Sequence, residues 1–236
     1  MPPSRLSSVL AIIPARGGSK RIPRKNTAPV GGVPLIAHSV RHAIGSRRVG
    51  TTVVSTDDAE IAAIAAAEGA EVVERPVSLA SDGATSESAL LHVLDSRRVQ
   101  GHEDPGLIVF LQCTSPVRSS ADIDRAIQQL EDEGADSLMS ACENTRFIWA
   151  VGEQGPRSLN YDYRNRKRDQ ELEPQFQENG SIYVMRPELL RATGNRLGGK
   201  IAIYTMDVWS SFQVDSAADL ELCDWILRHR IPRDGA

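Results

Sequence analysis

The chain has 236 residues, 41% hydrophobic and 25% charged, which suits a single soluble domain with a core large enough to need neither disulfides nor a structural metal. A net charge of −4 and only 5% aromatic residues argue against a nucleic-acid binder and against base-stacking platforms. Three scattered cysteines, Cys113, Cys142 and Cys223, form no CxxC pair and read as buried small hydrophobes of a reducing compartment.

Residues 1–8 are polar, and no apolar run approaches the roughly 20 residues of a membrane span. The chain is therefore expected to carry no export signal and to reside in the cytoplasm. From residue 9 the pattern alternates. Strands are predicted over 9–15, 52–55, 71–73, 107–112 and 137–142, with amphipathic helices over 34–44, 57–68, 86–99 and 119–133 between them. This alternation predicts βαβ units and a mostly parallel sheet flanked by helices. Asp57, with Asp58 beside it, and Ser119 are the expected helix N-caps, and Gly69 and Gly134 the expected left-handed stops.

The pattern breaks over 143–178, a polar stretch rich in Arg, Asn and Gln. So long a stretch without structure is unusual inside a domain, so it is read as an arm inserted into one domain spanning 1–236, with a hairpin near Glu153-Gln154-Gly155-Pro156. Strands return over 181–185 and 201–206. A closing helix over 216–229 places Leu220, Cys223, Ile226 and Leu227 on one face.

The segment PARGGSKRIPRKN, Pro14 through Asn26, follows the first strand. Ligands of doubly wound sheets sit at the carboxyl ends of strands, and the first such loop is a preferred place. Gly17 and Gly18 can bring backbone N–H groups close to an anion. Arg16, Lys20, Arg21, Arg24 and Lys25 concentrate positive charge in an acidic chain, which suits a polyphosphate. The alternative is a solvated basic turn. Neither GxxxxGK[ST] nor GxGxxG occurs. His38 and His42 stand four apart on a helix, without the glutamate of a zinc-protease motif.

The same loop, with Gly32-Val33-Pro34-Leu35-Ile36, Val54-Ser55-Thr56-Asp57, Glu74-Arg75-Pro76, LQCTSPVR (Leu111 to Arg118), ENGSIY (Glu178 to Tyr183) and Val214-Asp215, resembles the cytidylyltransferases that activate sialic and related nonulosonic acids as CMP-sugars. The blocks stand in family order over nearly the whole chain. The resemblance implies an α/β nucleotide-diphospho-sugar transferase fold, Rossmann-like, with an arm that supports a homodimer. It implies CTP and a small anionic sugar acid as substrates, with neither nucleic acid nor membrane as partner. The nucleotide would lie on Ala15, Arg16, Gly17, Gly18, Ser19, Lys25, Asn26 and Arg75. Lys25, Arg16 and Asp215 would carry the chemistry. Arg75 would contact the base, unless it is a surface arginine beside a proline. Gln112, Thr114, Ser115, Arg166, Arg168, Gln170 and Asn179 would bind the acceptor.

Some of these residues have other readings. Thr114, Ser115 and Arg118 could cap the helix near Ser119, and the arm's Arg164, Arg166, Lys167 and Arg168 could be a solvated charge run. The family's divalent-metal motif carries two aspartates near the C-terminus. Here Gln213 replaces the first, leaving Asp215 as the ligand for Mg²⁺, which takes one or two carboxylates beside phosphates. Asp169 stands where a second basic residue is usual. These departures leave open a cytidylyltransferase acting on another small anion, such as a phosphonate, and, in a different class, a CTP-binding module without turnover.

Overall fold

A computed structural model describes residues 8–230, so the reading of the polar lead falls, but for Ser8, outside the described residues. The chain runs β1 (Val9–Pro14), β2 (Pro29–Val30), β3 (Val33–Pro34), α1 (Leu35–Ile44), β4 (Thr51–Thr56), α2 (Ala59–Ala67), β5 (Glu71–Glu74), α3 (Ser86–Val99), β6 (Leu107–Leu111), α4 (Ser120–Asp132) and β7 (Ser137–Glu143). It continues through β8 (Trp149–Gly152), β9 (Gly155–Ser158), β10 (Phe176–Met185), α5 (Pro187–Thr193), β11 (Ile201–Met206) and α6 (Ala217–His229). Seven strands form one sheet in the order β11-β7-β10-β6-β1-β4-β5. Only β10 runs against its neighbours, β6 and β7; the other pairs are parallel.

The central strands read as continuous apolar runs because both faces are covered. From β1, Ala11 and Ile13 point into one layer with Ile36, Val40 and Ile127. Leu10 and Ile12 point into the other, with Leu90, Val93 and Leu94 of α3. All of them are buried.

A third, smaller cluster joins Val30, Leu35, Val214 and Cys223, with Ile22, Phe212, Leu220 and Leu227 packed against it. It contains Leu220, Cys223 and Leu227 of the apolar face read for α6, and it fastens the basic loop, through Ile22, to the segment carrying Gln213 and Asp215.

Ser119 caps α4 in a reciprocal box with Asp122, and Gly69 and Gly134 take left-handed φ of 94° and 57°. Of the two aspartates read at the start of α2, one is the cap. Asp58, not Asp57, accepts from the Glu60 and Ile61 amides, and Asp57 is free to work elsewhere. The hairpin at 153–156 is present as β8 and β9, turned by Gly155 at φ 92°. The last residues read as arm belong to the main sheet, since Phe176 and Gln177 of β10 pair with Glu143 and Cys142 of β7. The short pieces β2, β3 and α5 carry too few residues for periodicity to announce them.

Among the described residues no helix is long and apolar enough to cross a membrane. All three cysteines are free and buried.

Candidate active site

A cavity of about 410 Å³ opens at the carboxyl ends of β1 and β6, within the range of small-ligand sites. Arg16, Lys25, Asn26, Arg75, Gln112, Thr114 and Asp215 line it together, although they span two hundred residues of chain. A second space of about 410 Å³ lies under the basic loop, bounded by Arg16, Ser19, Lys20, Arg21 and Lys25.

The basic loop is built to turn two cations inward. Arg24 takes a left-handed φ of 55°, a conformation that costs a non-glycine residue about 1 kcal/mol or more. A single 3-10 turn over Lys25–Thr27 follows it. Lys25 is thereby directed under the loop, its side chain only 14% exposed. Its ammonium donates to the Val214 carbonyl at 2.9 Å and to Asp215 Oδ1 at 3.3 Å. Asn26, buried, donates to the Arg16 carbonyl at 2.9 Å and ties the two ends of the loop.

Gly17 has a neighbour of its own. A Cβ there would collide with Asp58, 2.6 Å from its carboxylate oxygen, and the Gly17 N–H donates to Asp57 Oδ1 at 3.0 Å. This glycine lets the loop pack on the turn after β4. Gly18, by contrast with Gly17, leaves open space at its Cα. Ala15 continues the strand, donating to the Ser55 carbonyl at 2.9 Å with its methyl in the core.

The opposite wall is the segment after β5. The Arg16 guanidinium donates to the Ser81 carbonyl and pairs with Asp82, both at 3.1 Å. Lys20 pairs with the same carboxylate. Lys20 first, and Arg16 with it, hold the Asp82 carboxyl below the usual carboxylate range. Arg75 is buried rather than on the surface, bonded through its guanidinium to the Ser55 hydroxyl and carbonyl. Burial lowers its pKa from the ordinary value, and Asp57 works against that.

The floor comes from β6 and the turn beyond it. Gln112 and Gln213 converge over Gly180, whose φ is 62°. A Cβ on Gly180 would meet the Gln112 side-chain oxygen and stand 3.1 Å from both amide atoms of Gln213, so glycine is required there. Ser115 is buried and donates to the Asn179 carbonyl at 3.1 Å. Asn179 is fully buried. Its side chain bonds inward, accepting from Ser140 Oγ at 2.6 Å and donating to Met206 Sδ at 3.3 Å. Both serve the cavity wall from behind.

The arm's cations do not line this cavity. Arg164 lies over the ring of Tyr163 and Arg166 over that of Phe147. The Arg168 amide donates to Glu171 at 3.0 Å. Gln170 lines a separate space of about 400 Å³ within the arm. Between arm and cavity runs a trough of about 460 Å³ bounded by Glu143, Arg146, Gln177, Gln213, Asp215 and Asp219.

Chemically, the cavity stabilises anions and holds few proton acceptors. Burial pushes the Cys113 thiol up to about 12, so it is no nucleophile at neutral pH. Among the described residues no histidine lines the cavity, and its two carboxylates, Asp82 and Asp215, are both ion-paired.

No group of three or more His, Cys, Asp or Glu that could hold a metal occurs among the described residues. Asp215, half-exposed beside Gln213, nonetheless fits a Mg²⁺ ion that arrives with nucleotide phosphates, because that ion needs only one or two protein carboxylates.

Sequence reasoning missed Asp82, and it named Asp57 and Arg118 in motif blocks and as helix caps without the partners they have here. An aspartate in a small-residue loop at the carboxyl end of β5 was the available signal for Asp82. For Arg118 the signal was its place at the end of the block Leu111 to Arg118.

Comparison with known proteins agrees with the geometry. The model of a family described as Cytidylyltransferase matches residues 10–221. N-acylneuraminate cytidylyltransferase A of Danio rerio is 34% identical, covering 96% of this chain and 51% of that protein. The Escherichia coli N-acylneuraminate cytidylyltransferase is 30% identical over 92% of this chain and 51% of its own length. A Campylobacter coli protein named post-translational flagellin modification protein B is 28% identical over 95% of this chain and 97% of its own. This chain thus spans about half the length of its N-acylneuraminate cytidylyltransferase relatives.

Among solved structures, a CMP:2-keto-3-deoxy-manno-octonic acid synthetase complexed with CTP superposes with a TM-score of 0.72 at 17% identity, covering 95% of this chain and 100% of that one. A 4-diphosphocytidyl-2C-methyl-D-erythritol synthase from Anaerococcus prevotii gives 0.66 at 11%, over 94% and 99%. Those two likenesses establish the fold. With the family model matching residues 10–221, this chain belongs to the cytidylyltransferase family.

Proposed function

We propose that this protein transfers CMP from CTP to the anomeric hydroxyl of a nonulosonic, sialic-type sugar acid, releasing pyrophosphate. The observation that carries the reading is the convergence of Arg16, Lys25 and Gln112 on one cavity at the carboxyl end of the sheet. The relatives of 30% identity and above bear names for this chemistry.

In this reading the triphosphate lies along the basic loop on Arg16, Ser19 and Lys25, with Gly18 open to it. The cytosine lies toward Arg75, and Asn26 and Ala15 shape the loop that holds both. Entry of the triphosphate exchanges one anion for another, since Arg16 and Lys20 must leave Asp82. The acceptor's hydroxyl oxygen bonds to the α-phosphorus as the bond to the bridging oxygen of pyrophosphate breaks. The hydroxyl proton passes to solvent, since among the described residues no histidine lines the cavity. Lys25 neutralises charge that builds at phosphorus, the kind of stabilisation that dominates such transfers. Asp215 is the carboxylate this chain would offer a Mg²⁺ ion, which would supply further charge neutralisation when bound.

Gln112 and Thr114 face the acceptor, with Ser115 and Asn179 bracing the wall. Arg166, Arg168 and Gln170 act across a homodimer, where a guanidinium matches the acceptor's carboxylate. Exposed Ile148, Trp149, Val151 and Leu159 on the arm supply apolar area for that contact. Buried free thiols suit a cytoplasmic protein.

The test is pyrophosphate release from CTP across N-acetylneuraminate, other nonulosonic acids and small phosphonates, the last included because Gln213 stands in place of a carboxylate. Release with a nonulosonic acid, abolished by chelating Mg²⁺, is expected, with sedimentation as a dimer. Release only with a phosphonate would replace the acceptor class. CTP binding without release from any acid would make the protein a binding module.

A further inference from the structure

Arg118 is 3% exposed and makes no ion pair among the described residues. A buried charge without a counter-ion is costly unless its hydrogen bonds are satisfied, and this one is held by four oxygens. Nε donates to Ser181 Oγ at 2.9 Å and Nη1 to Ser39 Oγ at 3.1 Å. Nη2 donates to the Gln112 carbonyl at 2.6 Å and to the Ser115 carbonyl. Both hydroxyl partners are fully buried, Ser39 on α1 and Ser181 on β10.

The closest acid along the chain is fully engaged. Asp122 accepts from Ser119, Arg125 and Tyr204. Burial pushes the Arg118 guanidinium down to about 10, so it remains charged at neutral pH.

The geometry has a direction. One end of the planar guanidinium is anchored to α1 and β10, and the other grips both ends of the turn 112–115. That turn presents Gln112, Cys113 and Thr114 to the cavity, and its Thr114 carbonyl accepts from the Val214 amide at 2.7 Å. Arg16 and Arg75 reach the cavity from β1 and β5, independently of the turn. Removing the grip should therefore disturb one side of the site and spare the other.

We propose that Arg118 is a positioning residue for the transfer reaction: its guanidinium holds the turn 112–115 so that Gln112 faces the acceptor. The inference rests on the CMP-transfer reading for its kinetics but not for its structural half. Lysine keeps the charge and loses the planar multi-donor shape, so Arg118→Lys is the informative variant. Ser181→Ala, which loosens only the far anchor, is a milder companion should Arg118→Lys fold poorly.

With N-acetylneuraminate, or whichever acid the wild type turns over, Arg118→Lys should lower kcat/KM for the acceptor about 100-fold, the scale of a 1 Å misplacement. The Kd for CTP should change by less than about threefold, because binding energy on the spared side is untouched. Ser181→Ala should show the same split at about 3- to 10-fold, the loss of one hydrogen bond to a charged group partly offset by relaxation.

In a double-mutant cycle, Arg118→Lys should add little to Gln112→Ala, since groups acting through one another are non-additive. Amide exchange over 112–117 should quicken while β1 and β4 keep their protection. Additive losses, equal losses in CTP and acceptor, or unchanged exchange over 112–117 would each overturn the proposal. If the wild type releases no pyrophosphate from any acid, the transfer reading falls, and the exchange and CTP-binding measurements alone decide whether Arg118 holds the turn.

Discussion

Lys25 shows how one side chain is committed by its surroundings. Its ammonium is nearly buried and bonds the Val214 carbonyl and Asp215, so it is fixed before any phosphate meets it. A cation held in place costs no reorganisation when charge develops at phosphorus. Lys25→Ala should therefore lower kcat about 10²- to 10³-fold, with CTP affinity falling less than about tenfold. Single-turnover and binding measurements separate the two. Equal losses in kcat and affinity would mean that Lys25 only holds ground-state phosphate. Arg16 differs at the same scale: its guanidinium pairs with Asp82, a pairing that the proposed CMP-transfer reading requires to be exchanged as CTP binds.

Among the elements, the small cluster of Val30, Leu35, Val214 and Cys223 governs the site more than its size suggests. It packs Ile22 of the basic loop against Phe212 and Val214 of the segment bearing Gln213 and Asp215. Val214→Ala should cost about 2 kcal/mol, the usual scale for two buried methyl groups and the gap they leave. It should also lower kcat about tenfold or more, since displacement here shifts both Lys25 and Asp215. Val93→Ala on α3, equally buried but in the other layer, should cost similar stability and leave kcat near the wild-type value. Denaturant unfolding paired with steady-state kinetics checks both, and similar kinetics in the two variants would remove the special role of this cluster.

Across the whole molecule, the layers around α1 make stability depend on acidity. His42 has an Nδ1 that is buried without a partner. Burial, with Arg118, His38 and Arg41 nearby and only Asp122 opposing them, pushes its pKa from 6.5 down to about 3. The folded protein therefore keeps the ring neutral, while the unfolded chain takes a proton below about pH 6.5. Stability from this site is complete above pH 6.5 and is lost as the pH falls toward 3, at up to about 1.4 kcal/mol per pH unit. His42→Gln should shrink the loss between pH 7 and pH 5 by about 1–2 kcal/mol, measured by urea unfolding at the two values. An unchanged difference would mean that the ring accepts a proton within the fold.

The alternation of apolar runs and amphipathic helices determined the sheet, the order of its main elements and the basic loop at the end of β1, because those features are local: a strand buried on two faces must read as continuously apolar, and glycines with cations can be seen in a row. The ordered motif blocks carried the family, and Lys25, Arg16 and Gln112 were legible through them. Tertiary structure alone decided which polar residues turn toward the cavity and which turn away. Asn179 and Arg118 lie in motif blocks yet face inward, while Asp82, in no block, closes the far wall. It also decided that Asp58 caps α2 while Asp57 receives the Gly17 amide. The reason is physical: a side chain's direction depends on contacts between elements dozens to hundreds of residues apart, and local composition does not encode which long-range partner will satisfy a buried polar group.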